Sequence, residues 1–330
     1  MTVLPVPDPV PARRLSLELV AIAEAGHGYA QARRAPATWA AYRADWADFT
    51  HWCEHHHLRS LPADPDTVAA YLVDHAPRFH TSTLQRRLSA INVMHREHEH
   101  APPRSERLAM IWSGIRRTNG TANHGKTPLL IGDLRRVVDA IDLSRPIGVR
   151  DRALLLVGFA MGARRSELVA LDIDDLELTG DGYRVIIRRS KTDQEAAGRT
   201  VGVPYGADPR TCPVSALQAW LALLEPESDS SRITGPVFRA INPAGQPTDR
   251  RLHPRGVADA VKRRCVTVGL DPAGFAGHSL RSGLATSAAA AGASERAIMR
   301  QTGHRSATVL RRYIRDGSLF SANAANTAGL

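Results

Sequence analysis

Apolar positions recur at helical spacing over most of the chain. After Pro36 they fall at Trp39, Tyr42, Trp46, Phe49 and Cys53, which predicts an amphipathic helix with Thr38 placed to cap it. This aromatic stripe is read as packing between helices. A second helix is expected from Asp66 through Val68, Tyr71 and Leu72. A third follows Ser82, with Leu84, Leu88, Ile91 and His95 on one face and Arg86 and Arg87 off it, where solvent or a phosphate backbone would meet them. A fourth runs around Ile111, Trp112 and Ile115 and ends in Arg116 and Arg117. Residues 14–117 therefore read as a small helical domain. Residues 118–128, TNGTANHGKTP, combine Asn-Gly, Gly and Pro without apolar periodicity and read as a linker that carries Lys126.

A larger domain is expected over 129–316. Helices are predicted at 133–141 and 148–160, followed by GARRSELVAL. The β-branched runs at 183–187 and 200–203, parted by a polar turn, predict a hairpin. Helices resume at 213–224, 254–268, 280–291, 294–302 and 306–315. The fold class is mainly α (α+β): a small N-terminal helical domain and a larger helical domain with one small antiparallel sheet. The proline-rich stretch 1–13 reads as a loose tail. Residues 317–330, with Leu319, Phe320 and Leu330, are either a frayed end or a segment that docks on a neighbouring subunit.

Composition narrows the classes. A chain of 330 residues is comfortable for two domains. It contains no apolar run long enough to span a membrane and no secretory signal pattern, so a cytoplasmic protein without a membrane partner is expected. Cys53, Cys212 and Cys265 stand far apart, against a disulfide framework or a thiolate zinc site. The net charge of +10 favours a polyanionic partner. Nearly all of the positive charge is arginine, whose planar fork of donors suits phosphate oxygens. His51 with His55, and His95 with His98, have ligand-like spacing within HWCEHHH and HREHEH. Without a thiolate partner they read as decorating solvated or nucleic-acid-facing helix ends, and no metal is expected.

The candidate chemistry lies in the larger domain. Arg164 stands at a helix start in GARRSEL, Lys191 in the hairpin, His278 and Arg281 in HSLR, His304 in TGHRS and Tyr313 in LRRYIR. His278 and Arg281, three apart at a helix start, share one face beside free backbone N–H groups that favour an anion. Two arginines, a lysine and two histidines converging on a phosphodiester would neutralise charge in its transition state without a metal. Tyrosine is a poor nucleophile, since about one phenol in a thousand is ionised at pH 7. Nearby cations and a neutral imidazole that accepts the proton would activate it.

Together GARRSEL, the hairpin lysine in RRSKTDQ, GHSLRSG and TGHRSATVLRRY resemble the tyrosine recombinase and phage integrase family. The first domain and the GASERAIMRQTGH stretch look like the Cre-like subgroup, although its type member has tryptophan at the place of His304, where histidine is the commoner choice across the family. The resemblance spans about residues 36–315. It implies a site-specific DNA recombinase whose first domain clamps DNA and which needs no cofactor. Arg164 and Arg281 would be paired transition-state arginines, with the register at Arg164 rather than Arg165 set by Gly-x-Arg-x-Ser-Glu. His278 would exchange the proton and Lys191 would protonate the departing 5′ oxygen. His304 would contact the phosphate, and Tyr313 would attack it to form a 3′-phosphotyrosyl link. Glu167 resembles the acidic residue that buttresses such sites. The resemblance also implies double-stranded DNA with specific sites as partner, a homo-tetramer on it, a Holliday-junction intermediate and work at the nucleoid. Arg86, Arg87, Arg116, Arg117 and Lys126 are candidate DNA contacts. Two rival readings are a type IB topoisomerase, which shares the phosphotyrosine chemistry, and a catalytically silent DNA-binding regulator.

Overall fold

The computed structural model describes Ile22 and residues 34–121, 125–190, 198–225, 233–304, 306, 307, 310, 311 and 313. The expected tails at 1–13 and 317–330, and Lys191, lie outside the described residues. The chain divides into two compact units, Met1–His124 and Gly125–Leu330.

The first unit carries helices α1 (Pro36–His55), α2 (Pro65–His75), α3 (Thr81–Glu97) and α4 (Glu106–Asn119). Helix α1 starts with Pro36 in its first turn after Ala35 and has no side-chain cap, so Thr38 does not take the capping role expected of it. Asp64 caps α2 by accepting from the Asp66 N–H, and Ser105 caps α4 by accepting from the Leu108 N–H. Phe49, Cys53, Val68, Tyr71, Leu72, Leu84 and Ile91 form the core, so the inner end of the aromatic stripe is packing, as its period predicts.

Two expectations fail here. Arg87 does not lie off the apolar face: it is 8% exposed, pairs with Asp48, and donates to the Tyr71 hydroxyl at 2.5 Å. Its ring neighbour is Phe79, 4.2 Å from guanidinium carbon to ring centroid. A buried guanidinium committed to a half-exposed carboxylate, a phenol and an aromatic face is core structure and not a DNA contact. His95 is not solvated either. It is fully buried, with Nδ1 2.8 Å from the Ile91 carbonyl oxygen and Nε2 accepting from the Ala63 N–H at 2.8 Å. Both ring nitrogens are thus occupied by backbone.

The second unit builds on α6 (Pro146–Ala160), preceded by α5 (Ile131–Asp139). Ala153 through Val157 are all buried, which makes α6 a central helix rather than an amphipathic surface one. It packs against α8 (Pro213–Ala222) and α10 (His278–Ala290). Short helix α7 (Arg165–Ala170) leads into a three-stranded antiparallel sheet, β1 (Leu176–Thr179), β2 (Gly182–Ile187) and β3 (Arg199–Pro204). Val185 pairs with Val201, and Tyr183, Val185 and Ile187 turn inward while Arg184 and Ile186 face out. The predicted hairpin is β2–β3; β1 adds a third strand. A second ladder, β4 (Arg239–Ile241) with β5 (Pro247–Arg251), was not expected. Helices α9 (Pro254–Val266) and α11 (Glu295–Thr302) follow, with helical residues at 307, 310, 311 and 313. Asp151, fully buried on α6, takes Arg263 and Arg264 of α9 at 2.8 and 2.9 Å and binds the two helices together. Among the described residues no helix is long and apolar enough to cross a membrane.

Candidate active site

Helix α10 opens at His278, and the segment at Leu129 lies closely against it because residue 283 is glycine: a Cβ there would sit 2.0 Å from the Leu129 carbonyl oxygen. One turn into α10 stands Arg281, 1% exposed. Its Nη1 donates to the carbonyl of Gly162 at 2.8 Å and to that of Thr302, while its Nη2 is buried without a hydrogen-bond partner. An orphaned guanidinium N–H is costly, and a phosphate oxygen is the kind of acceptor it suits. Burial and the adjacent Arg164 push the Arg281 pKa down to about 10, so it stays cationic at neutral pH.

Arg164 is the residue before α7. Its Nη1 donates to Glu167 Oε1 at 2.5 Å, and its backbone N–H donates to Oε2 of the same carboxylate at 3.0 Å. Glu167 is itself buried. Arg165 is exposed, its aliphatic stem packed under Gly277, so it is Arg164 that faces the other site residues.

His278 and His304 flank Tyr313. The His278 Nε2 lies 2.9 Å from the Tyr313 hydroxyl oxygen, and the His304 ring centroid lies 6.2 Å from that of Tyr313. Desolvation, with the charges of Arg281 and Arg164, holds the His278 pKa below the usual imidazole range. The same causes, in the same order, push His304 down to about 3. Both rings are therefore neutral at pH 7, and His278, in contact with the phenol oxygen, is the one placed to accept its proton. His304 is anchored through Nδ1, 2.7 Å from the Thr302 hydroxyl, which in turn donates to the Ile298 carbonyl at 2.6 Å. The Tyr313 ring packs on a small apolar cluster of Ala285, Ile298 and Leu310. Packing steadies the ring while its oxygen reaches His278.

The structure thus gathers Arg164, Glu167, His278, Arg281, His304 and Tyr313 in one chain. Lys191 lies outside the described residues. A further cation, not foreseen, joins them: Arg199, at the start of β3, meets Glu167 Oε2 at 3.4 Å. No motif marks it. The only sequence signal is an arginine at the first residue of the strand that returns from the Lys191 turn.

The sequence profile described as "Phage integrase family" matches residues 131–318, which hold every one of these side chains. The chain belongs to this family. An integrase/recombinase XerD homolog of Selenomonas ruminantium is 38% identical over 298 residues, covering 89% of this chain and 85% of the relative. The recombinase Cre of Escherichia phage P1 is 24% identical over 299 residues, covering 84% of each. Among solved structures, the XerH site-specific recombinase bound to a palindromic difH substrate aligns with a TM-score of 0.58 at 20% identity, over 80% of this chain and 71% of that one. A λ integrase (75–356) dimer bound to a COC′ core site aligns with a TM-score of 0.51 at 17% identity, over 77% and 80%. At that identity the likeness concerns the fold, which is mainly helical with small antiparallel sheets. The expectation of a tyrosine recombinase stands.

Of the expected DNA contacts, Arg116 and Arg117 are exposed at the end of α4. Arg86 is half-exposed and donates to the buried carboxylate of Asp45 at 2.7 and 3.0 Å. Lys126 donates to the Ala273 carbonyl at 2.7 Å. Among the described residues no three His, Cys, Asp or Glu side chains are grouped to hold a metal ion.

Proposed function

We propose that the protein breaks and rejoins duplex DNA at specific sites by phosphoryl transfer to Tyr313. The observation that carries this is the 2.9 Å approach of the Tyr313 oxygen to a neutral imidazole, beside a buried guanidinium with an orphaned N–H. The phenol proton passes to His278 Nε2 as the tyrosine oxygen attacks phosphorus. Arg164 and Arg281 hold the non-bridging oxygens and offset the charge that builds on them. Glu167 fixes Arg164, and His304 contacts the phosphate beside the nucleophile. The bond from phosphorus to the 5′ oxygen breaks, Lys191 gives that oxygen a proton, and a 3′-phosphotyrosyl link with a free 5′ hydroxyl results. A 5′ hydroxyl from a second duplex then attacks the link, and reversal of the same steps releases Tyr313. One exchanged strand pair makes a Holliday junction and the second resolves it, which calls for a homo-tetramer on two sites.

The first unit would clamp the duplex, with Arg86, Arg116 and Arg117 meeting phosphates, and Lys126 at the start of the second unit would meet them too. The test is a duplex nicked next to the scissile phosphate, from which the short 5′ product escapes. Wild-type protein should become covalently joined to the strand, and Tyr313→Phe should bind the same duplex without joining it. An adduct that survives the substitution overturns the reading.

A further inference from the structure

Helix α11 ends in the site, and how it ends decides where His304 sits. The last carbonyls of a helix lack partners within it and carry its partial negative charge. Here two arginines take them from different elements. Arg281 of α10 donates to the Thr302 carbonyl, and Arg199 of β3 donates through Nη1 to the Gln301 carbonyl at 2.9 Å. The chain then turns at Gly303, whose φ of 68° suits glycine and whose Cα faces the Arg199 guanidinium so closely that a Cβ would lie 2.8 Å from Nε. His304 is the next residue. The other nitrogen of the same guanidinium, Nη2, meets Glu167 Oε2 at 3.4 Å, and Glu167 holds both the side chain and the backbone N–H of Arg164. Gln301 adds a second tie, its Nε2 donating to the carbonyls of Gly202 in β3 and Ala160 in α6 at 2.9 and 2.6 Å.

We propose that Arg199 is a positioning residue for DNA cleavage: one planar guanidinium fixes the Arg164–Glu167 pair to the end of helix α11 and so sets the distance between Arg164 and His304. This rests on the phosphotyrosyl reading above. The Arg199 Nε is covered by Gly303 and its two other nitrogens are committed to Gln301 and Glu167, so Arg199 acts through these groups and not on the phosphate itself. A lysine in its place is a point charge on a flexible stem and cannot serve a carboxylate and a carbonyl in one plane.

Two measurements on the full chain test this. The first is single-turnover cleavage of the nicked duplex by Arg199→Lys and Arg199→Gln. A small displacement of positioned groups costs about 100-fold in rate. We expect about that loss for Arg199→Gln and a smaller one for Arg199→Lys, with duplex binding unchanged in both. In a double variant with His304→Ala, the Arg199→Gln penalty should shrink severalfold, because both changes damage one unit. The second is the His304 imidazole signal in protein labelled with carbon-13 histidine, assigned by its loss in His304→Ala, which should move in both Arg199 variants without DNA. Unchanged cleavage, penalties that multiply in the double variant, or an unmoved His304 signal each overturn the proposal. Should Arg199→Gln fail to fold, Arg199→Lys carries both measurements. If wild-type protein forms no Tyr313 adduct, the recombinase reading falls, while the histidine signal still decides whether Arg199 fixes His304.

Discussion

Replacing His278 with alanine removes the group 2.9 Å from the phenol and leaves Tyr313 to ionise without a base. The size of the effect follows from the two acidities. An ordinary phenol with a pKa near 10 is ionised about one part in a thousand at pH 7. A positioned base that takes the proton as the bond forms can recover up to about that thousandfold, roughly 4 kcal/mol of barrier. Desolvation, with the charges of Arg281 and Arg164, holds the His278 imidazole below its usual pKa, so it is already neutral at pH 7 and gains nothing from a further rise. Wild-type cleavage should therefore be flat between pH 7 and 9. The His278→Ala rate should be about 1000-fold lower at pH 7 and climb about tenfold per pH unit as phenolate accumulates. The gap narrows to about tenfold at pH 9. The assay is single-turnover formation of the covalent adduct across this range, with DNA binding measured at each pH. Because any titration of Lys191 bends both profiles alike, the ratio of the two rates is the readout. A ratio that stays constant with pH, or a variant that matches wild type at pH 7, refutes His278 as the base.

Three further outcomes follow from the packing. Glu167→Gln removes a buried carboxylate that holds Arg164 at 2.5 Å and Arg199 at 3.4 Å, and breaking such pairs costs about 3–5 kcal/mol. Hydrogen exchange in α7 under mild urea should speed up accordingly, and unchanged protection would contradict the role given to the carboxylate. Gly283→Ala drives a methyl group against the Leu129 carbonyl and must separate the 129 segment from α10, so the melting temperature should drop by an amount equivalent to about 1–3 kcal/mol; an unchanged melting point would show that the segment gives way freely. Burial lowers the His95 and His75 pKa values in the folded first unit. The unfolded imidazoles take up protons below about pH 6.5 and the folded ones only at lower pH, so this stability is complete above that pH and is lost as pH falls below it. Urea midpoints at pH 7.5 and 5.0 should differ less in His95→Gln than in wild type, and equal differences would contradict this.

The period of apolar residues located the helices because burial on one face leaves a repeat that no tertiary information is needed to see. Ends were less legible: Thr38 looks like a cap, yet Pro36 sets the first turn of α1. The strands β1, β4 and β5 are three to five residues long, too short for alternation to declare itself, and β5 is PTDRR, with no apolar face at all. Charged residues misled most. Arg87 and His95 are core groups whose partners, Asp48 and the Ala63 amide, lie 39 and 32 positions away in sequence. Arg199 escaped notice for the same reason, since only folding brings the first residue of β3 to the end of α11. By contrast, the order of GARRSEL, HSLR, TGH and the following tyrosine picked out a set of side chains that the fold brings to one place. His304 and Tyr313 pack as ring neighbours, and Arg164 stands within electrostatic reach of both histidines.

The most direct test of the central claim is to identify the atom that takes the DNA. Wild-type protein trapped on a nicked duplex, digested with protease and nuclease, should yield a single peptide carrying a 3′-linked nucleotide on Tyr313. A nucleotide on Tyr183, Tyr205 or any other residue, or one joined through a 5′ phosphate, would contradict the account.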